Sequence, residues 1–241
     1  MAAGKGPALT APQREFLERF FADETVAPRF CLVGGTALAG FHLHHRRSED
    51  LDLFCTEPDA PLGLLDDAFD LVEKITTSLG WRVDRQGGGR RHLRLAIEIP
   101  GVEVRELRRI DLALPWAPFL EPPELHGTVR VAALRDLALG KLIAAAERPA
   151  LELKDVVDLH ALEGVPGIRL VDLVDRARVI SPRFSPLELA SRVTAVPHLE
   201  SQWVRFRKDY LFWDDLRFSD LLEFGRRLAR EIDLLLGPPA G

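Results

Sequence analysis

The sequence predicts an α+β protein: a small mixed sheet with flanking helices, followed by a helical domain. Three observations carry this. Up to about residue 130, short apolar runs of strand length alternate with helical stretches. Beyond it, almost every segment repeats its apolar residues at the helical period. Between the two textures lie breakers at Pro115, Pro118, Pro122 and Pro123, which mark a connection. The expected division is therefore 1–130 and 131–241, with the second part closing a cleft on the first.

In chain order, residues 29–33 form an apolar run of strand length, and a helix is expected from Thr36. A second strand covers 51–55 and a helix covers 62–79. Two strand candidates at 92–99 and 102–114 flank the turn-forming Pro100-Gly101, which predicts a hairpin. Helical periods follow at 134–147, 151–162, 170–179, 186–193 and 216–236. The tail from Gly237 is expected to fray. No internal repeat or low-complexity segment interrupts the pattern.

Composition narrows the function classes. The chain has 241 residues, 46% of them hydrophobic, enough for a substantial core. Its 37 acidic residues exceed 32 Lys and Arg, for a formal charge of −5, so no global basic field advertises a nucleic-acid partner. A local basic groove is still compatible with that balance. Cys31 and Cys55 both sit in apolar runs, as buried hydrophobes do in a reducing compartment. The first residues lack a signal-peptide apolar region, and no run of about 18 uncharged apolar residues occurs. A cytoplasmic protein with no membrane partner is expected.

The chemistry concentrates in LVGGTALAGFHLHHRRSEDLDLFC, residues 32–55. Side chains alternate along a strand, so Asp50 and Asp52 share one face while Leu51 and Leu53 face the core. Like charges this close destabilise a fold unless a cation sits between them, and an all-oxygen pair suits magnesium or manganese. Gly34-Gly35 let the backbone turn and approach a ligand. Thr36 would open a helix whose free N–H groups favour phosphate. Such sites recruit a third carboxylate from a neighbouring strand, and Asp111 in Arg109-Ile110-Asp111-Leu112 is the candidate. This combination points to metal-assisted nucleotidyl transfer from an NTP, with Asp111 placed to accept a proton.

The run GGTALA…HRRSEDLDLF, then RIDLAL, then LRDLALGKLIAAAERPALELKDVVDLHAL resembles the AbiEii/AbiGii toxin-type branch of the nucleotidyltransferase superfamily, whose fold is DNA polymerase β-like. The resemblance covers roughly residues 30–163; nothing specific is legible beyond. It implies a glycine turn and an Asp-x-Asp strand, matched by Gly34, Gly35, Asp50 and Asp52. It further implies a third strand acid, matched by Asp111, and a lead-in matched by Arg46, Ser48 and Asp50. A lysine followed by an aspartate is matched by Lys141 and by Asp155 or Asp158. Implied partners are an NTP, a cognate antitoxin and an acceptor hydroxyl on RNA (tRNA-like) or protein. A stand-alone transferase acting on a small molecule such as an antibiotic, or a degenerate binding module, are the alternatives.

Several features carry a plainer reading beside the functional one. Lys141 stands as a lone cation on an apolar helix, where an ammonium needs an anion such as a nucleotide phosphate. Arg148, Lys154, Asp155 and Asp158 have spacings that also make ordinary surface salt bridges. His42, His44 and His45 read as a wet helix end rather than a zinc cluster, since adjacent histidines cannot share a helix face. Gly87-Gly88-Gly89 reads as a turn between strands, with Arg90 and Arg91 at a cleft rim. The aromatic and basic residues 203–213 read as a helix packing with its arginines outward.

Overall fold

The computed structural model describes residues 8–101, 107–115 and 117–237. The chain divides into two compact units, Met1–Leu134 and Arg135–Gly241.

The first unit is a seven-stranded mixed sheet with flanking helices. Its elements are α1 (Ala11–Phe21), β1 (Phe30–Val33), α2 (Gly34–Ala37), β2 (Asp50–Cys55), α3 (Leu64–Ser78), β3 (Arg82–Gly89), β4 (His92–Glu98), β5 (Arg109–Ala113), β6 (Glu124–His126) and β7 (Val129–Val131). Helix α2 continues into a π-helical turn, Leu38–Leu43. The strand order is β3-β4-β5-β2-β1-β7-β6. β2 runs parallel to β5 and antiparallel to β1, while β4 pairs antiparallel with both β3 and β5. The hairpin expected across Pro100-Gly101 is therefore formed, although residues 102–106 of its expected second strand lie outside the described residues.

Alternation along the strands separates the two faces of this sheet. Leu51, Leu53 and Cys55 on β2, Ile110 and Leu112 on β5, and Leu93 and Leu95 on β4 are buried. Helix α1 brings Phe16, Leu17 and Phe20 to this side, with the Phe20 ring edge-on to Phe30 at 6.0 Å. Each such side chain, fully buried, contributes about 1.5–3 kcal/mol. The opposite face carries Asp50, Asp52, Arg109, Asp111, His92 and Arg94, each one residue out of step with that core row.

Four elements lie outside the expected pattern. Helix α1 is set by a Thr10–Gln13 capping box and by Pro12 in its first turn. β3 is an exposed edge strand held by its ladder to β4, so it needs no apolar alternation. Its glycines pair within the ladder, Gly87 with Arg94, Gly88 with Leu93 and Gly89 with His92. The turn falls at Arg90-Arg91 instead, which corrects the expected glycine turn. The short β6 and β7 form a hairpin, and β7 pairs parallel with β1 through Val131 and Leu32.

The second unit is helical: α4 (Leu134–Glu147, its first residue the last of the first unit), α5 (Leu153–Glu163), α6 (Val174–Ile180), α7 (Pro186–Thr194), α8 (Glu200–Asp209) and α9 (Phe218–Leu236). Ser185 caps α7 through the Glu188 N–H, with Pro186 following in its first turn. In α8 Trp203 is buried and Arg205, Arg207 and Lys208 are exposed, the packing arrangement expected for that stretch. No helix of the described residues is long and apolar enough to cross a membrane.

Candidate active site

Register places the three acids together. Asp52 on β2 pairs directly with Asp111 on β5, and Asp50 pairs with Arg109 two residues before it. On the other side Asp52 pairs with Val33, the last residue of β1, so the glycine turn starts beside it. Gly34 has φ +71°, and a Cβ there would stand 1.9 Å from Asp52 Oδ2. Both the left-handed backbone and the carboxylate resting on the Cα exclude a side chain. A Cβ on Gly35 would meet the Arg46 guanidinium at 2.7 Å and Ser48 Oγ at 2.9 Å. The turn is thus wedged between the Asp-x-Asp strand and its lead-in.

The lead-in residues Arg46 and Ser48 pack against the turn. Arg46 and Ser48 are buried, and Arg46 donates to the Arg47 carbonyl at 2.7 Å. Gln13 of α1 donates to the Ser48 carbonyl at 2.8 Å. Thr36 is fully buried, and its hydroxyl donates to the Asp50 carbonyl. That bond ties the start of β2 to the turn. His45 is also fully buried, which overturns the wet helix end at that position, while His44 closes the π-helical turn in a left-handed conformation, φ 49°.

Two arginines and a histidine that the motif does not announce surround the acids. Arg109 donates to Asp50 Oδ2 at 2.6 Å, and its Nε lies 2.9 Å from Asp111 Oδ2 as a charge contact rather than an aligned hydrogen bond. His92 Nε2 donates to Asp111 Oδ1 at 2.8 Å, and Arg94 Nε donates to the same oxygen at 3.1 Å. Burial pushes the Asp111 carboxyl up, but the hydrogen bonds from His92 and Arg94, with the charges of Arg109 and Arg94, outweigh it and hold the group below its ordinary value. Arg109 was legible in principle, since it shares a strand face with Asp111 at a spacing of two. His92 and Arg94 needed the β4–β5 register.

The helical candidates lie in the second unit. Lys141 Nζ sits 2.6 Å from Asp158 Oδ2, with Lys141 almost and Asp158 fully buried. The lone-cation reading is therefore corrected: the ammonium already has a carboxylate. Arg148 holds Asp155 through both carboxylate oxygens, at 2.9 and 2.8 Å, and Asp155 too is fully buried. Burial raises the Asp155 carboxyl above its usual value, against the charges of Lys141 and Arg148. Neither aspartate is a surface ion-pair partner. The surface reading holds for Lys154, which meets the half-exposed Glu152 at 2.8 Å.

At the hairpin tip Arg90 is exposed, while Arg91 donates to the carbonyls of Pro58, Leu114 and Pro115 at 2.6, 3.4 and 2.7 Å. Arg91 is thereby a clamp on the backbone and not a rim cation.

The fold is of the nucleotidyltransferase type. Residues 15–224 match the family described as nucleotidyl transferase AbiEii toxin of type IV toxin–antitoxin systems, and the chain belongs to that family. Among solved structures it is similar to MenT4, a nucleotidyltransferase toxin from Mycobacterium tuberculosis H37Rv, with a TM-score of 0.52 at 20% identity, covering 93% of this chain and 91% of that one. It is also similar to a candidate nucleotidyltransferase from H. pylori, with a TM-score of 0.51 at 19% identity over 92% of each chain. No curated protein matches the sequence.

Proposed function

We propose that the chain transfers NMP from an NTP to an acceptor hydroxyl, using divalent metal held by Asp50, Asp52 and Asp111. The observation that carries this reading is the row of three carboxylates on one face of β2 and β5, with the Asp52 carboxylate against the Cα of Gly34. The donor set fits the metal. It is all oxygen, and the acids are close enough for the single guanidinium of Arg109 to contact both Asp50 and Asp111. Bound magnesium or manganese would clamp the triphosphate and offset charge on the leaving pyrophosphate.

The chain's own residues supply the rest. Asp50 and Asp52 present their oxygens on the same side of β2, held in place by the Thr36 bond to the Asp50 carbonyl. Gly34 and Gly35 let backbone N–H groups come close to phosphate. Asp111, held as a carboxylate by His92 and Arg94, is a better metal ligand than proton acceptor, because a depressed pKa makes a weak base. Arg109 and Arg94 are positioned to exchange their carboxylate partners for phosphate oxygens when nucleotide enters.

RNA is the proposed acceptor, following the toxin family. The test is to incubate the protein with each α-labelled NTP, magnesium and total RNA. Label in RNA with a steep salt dependence is the expected result. Arg90→Ala, at the exposed hairpin tip, should lower the salt slope by about one contact. Label on protein or on a small molecule instead, with RNA unlabelled, would displace the RNA reading.

A further inference from the structure

His42, Glu124 and His126 form a second cluster within the first unit. One ring nitrogen of each histidine and one Glu124 oxygen all lie within 4.8 Å of one another. Far apart in sequence, they meet because β6 folds back beside the π-helical turn that carries His42. On this strand Leu125 is 69% exposed, while Glu124 and the half-buried His126 share the other face.

Three details of the geometry point to a metal. First, His126 Nε2 is buried without a hydrogen-bond partner, yet stands 3.4 Å from Glu124 Oε2. That separation is the edge of a zinc tetrahedron, where ligands about 2.0–2.1 Å from the ion lie about 3.4 Å apart. Second, His42 Nε2 lies 3.1 Å from the Ala132 carbonyl, which can only accept, so Nε2 carries the proton and the lone pair of the neutral ring is on Nδ1. A ligand histidine characteristically has its other nitrogen fixed in this way. Third, the two imidazoles meet edge to face, centroids 5.4 Å apart at 79°, and Phe41 packs on His126 at the same distance.

We propose that His42, Glu124 and His126 form a zinc site, with the fourth position open to water. Two imidazoles and one carboxylate select zinc over magnesium, which separates this site chemically from the all-oxygen acids. Bound there, the ion would staple the β6–β7 hairpin to the turn that follows the glycine pair. β7 pairs with β1, whose last residue directly precedes Gly34. The site does not depend on the transferase reading.

The test uses the untagged full-length chain, stripped with chelator and titrated with zinc against a chromophoric competitor. One ion per chain is expected, and cobalt should give the intense visible bands of a four-coordinate site. His126→Ala and Glu124→Gln should each weaken zinc at least about 100-fold, more than the loss from a residue that only supports a ligand. Asp52→Asn should leave zinc affinity unchanged. The proposal is overturned if the parent binds no zinc, if His126→Ala and His42→Ala bind it as tightly as the parent, or if Asp52→Asn removes it. Cobalt spectra of the parent decide the matter even where a variant fails to fold.

Discussion

Asp52→Asn is expected to lower nucleotidyl transfer at least about 10³-fold while leaving the fold intact. The change is isosteric and removes a single charge from the half-exposed face of β2. Lewis-acid stabilisation by a bound ion is worth several kcal/mol, and about 4 kcal/mol corresponds to three decades in rate. Because magnesium keeps its waters and borrows phosphate oxygens, the same variant should lose the magnesium-dependent part of NTP binding. Calorimetry with NTP and magnesium, beside single-turnover transfer, checks both. Metal-dependent binding as strong as in the parent would sink the assignment of Asp52.

Lys141→Ala has the second large effect, and the structure changes its meaning. From sequence the substitution is expected to weaken NTP binding and leave the fold untouched. With Asp158 fully buried 2.6 Å from the ammonium, removing Lys141 strands a carboxylate, a loss of about 3–5 kcal/mol. Urea denaturation of the second unit should report it. Replacing the pair together, Lys141→Met with Asp158→Leu, should recover most of the stability, since both charges leave the interior. NTP affinity then separates the two roles. A double variant that is stable but binds NTP as the parent does would make Lys141 a structural residue only.

How far the sequence disclosed this protein varies by the kind of signal. The acids were legible because a period of two puts Asp50 and Asp52 on one side of an otherwise apolar strand, and Arg109-Ile110-Asp111-Leu112 repeats the pattern. Gly34 was legible as a turn, but its contact with Asp52 depends on the β1–β2 register. β3 was hidden because an edge strand of exposed polar residues and glycines shows no apolar alternation. For Asp155 and Asp158 the spacing of three is the same on a surface and in a core, and burial alone distinguishes them. His42 and His126 were invisible as a pair because nothing local in either stretch encodes their meeting across the β6–β7 hairpin. The histidine run suggested solvent at a position, His45, that the fold buries completely.

The central claim is that the three acids support transfer of a nucleotidyl group, and the position of the label tests it most directly. The protein is given the same NTP in two forms, labelled on the α-phosphate or on the γ-phosphate, with magnesium and acceptor RNA. The account predicts label in the acceptor from the α-form alone, with the γ-label released as pyrophosphate, and neither outcome in Asp52→Asn. Transfer of the γ-label to the acceptor, or α-label transfer undiminished in Asp52→Asn, would contradict it.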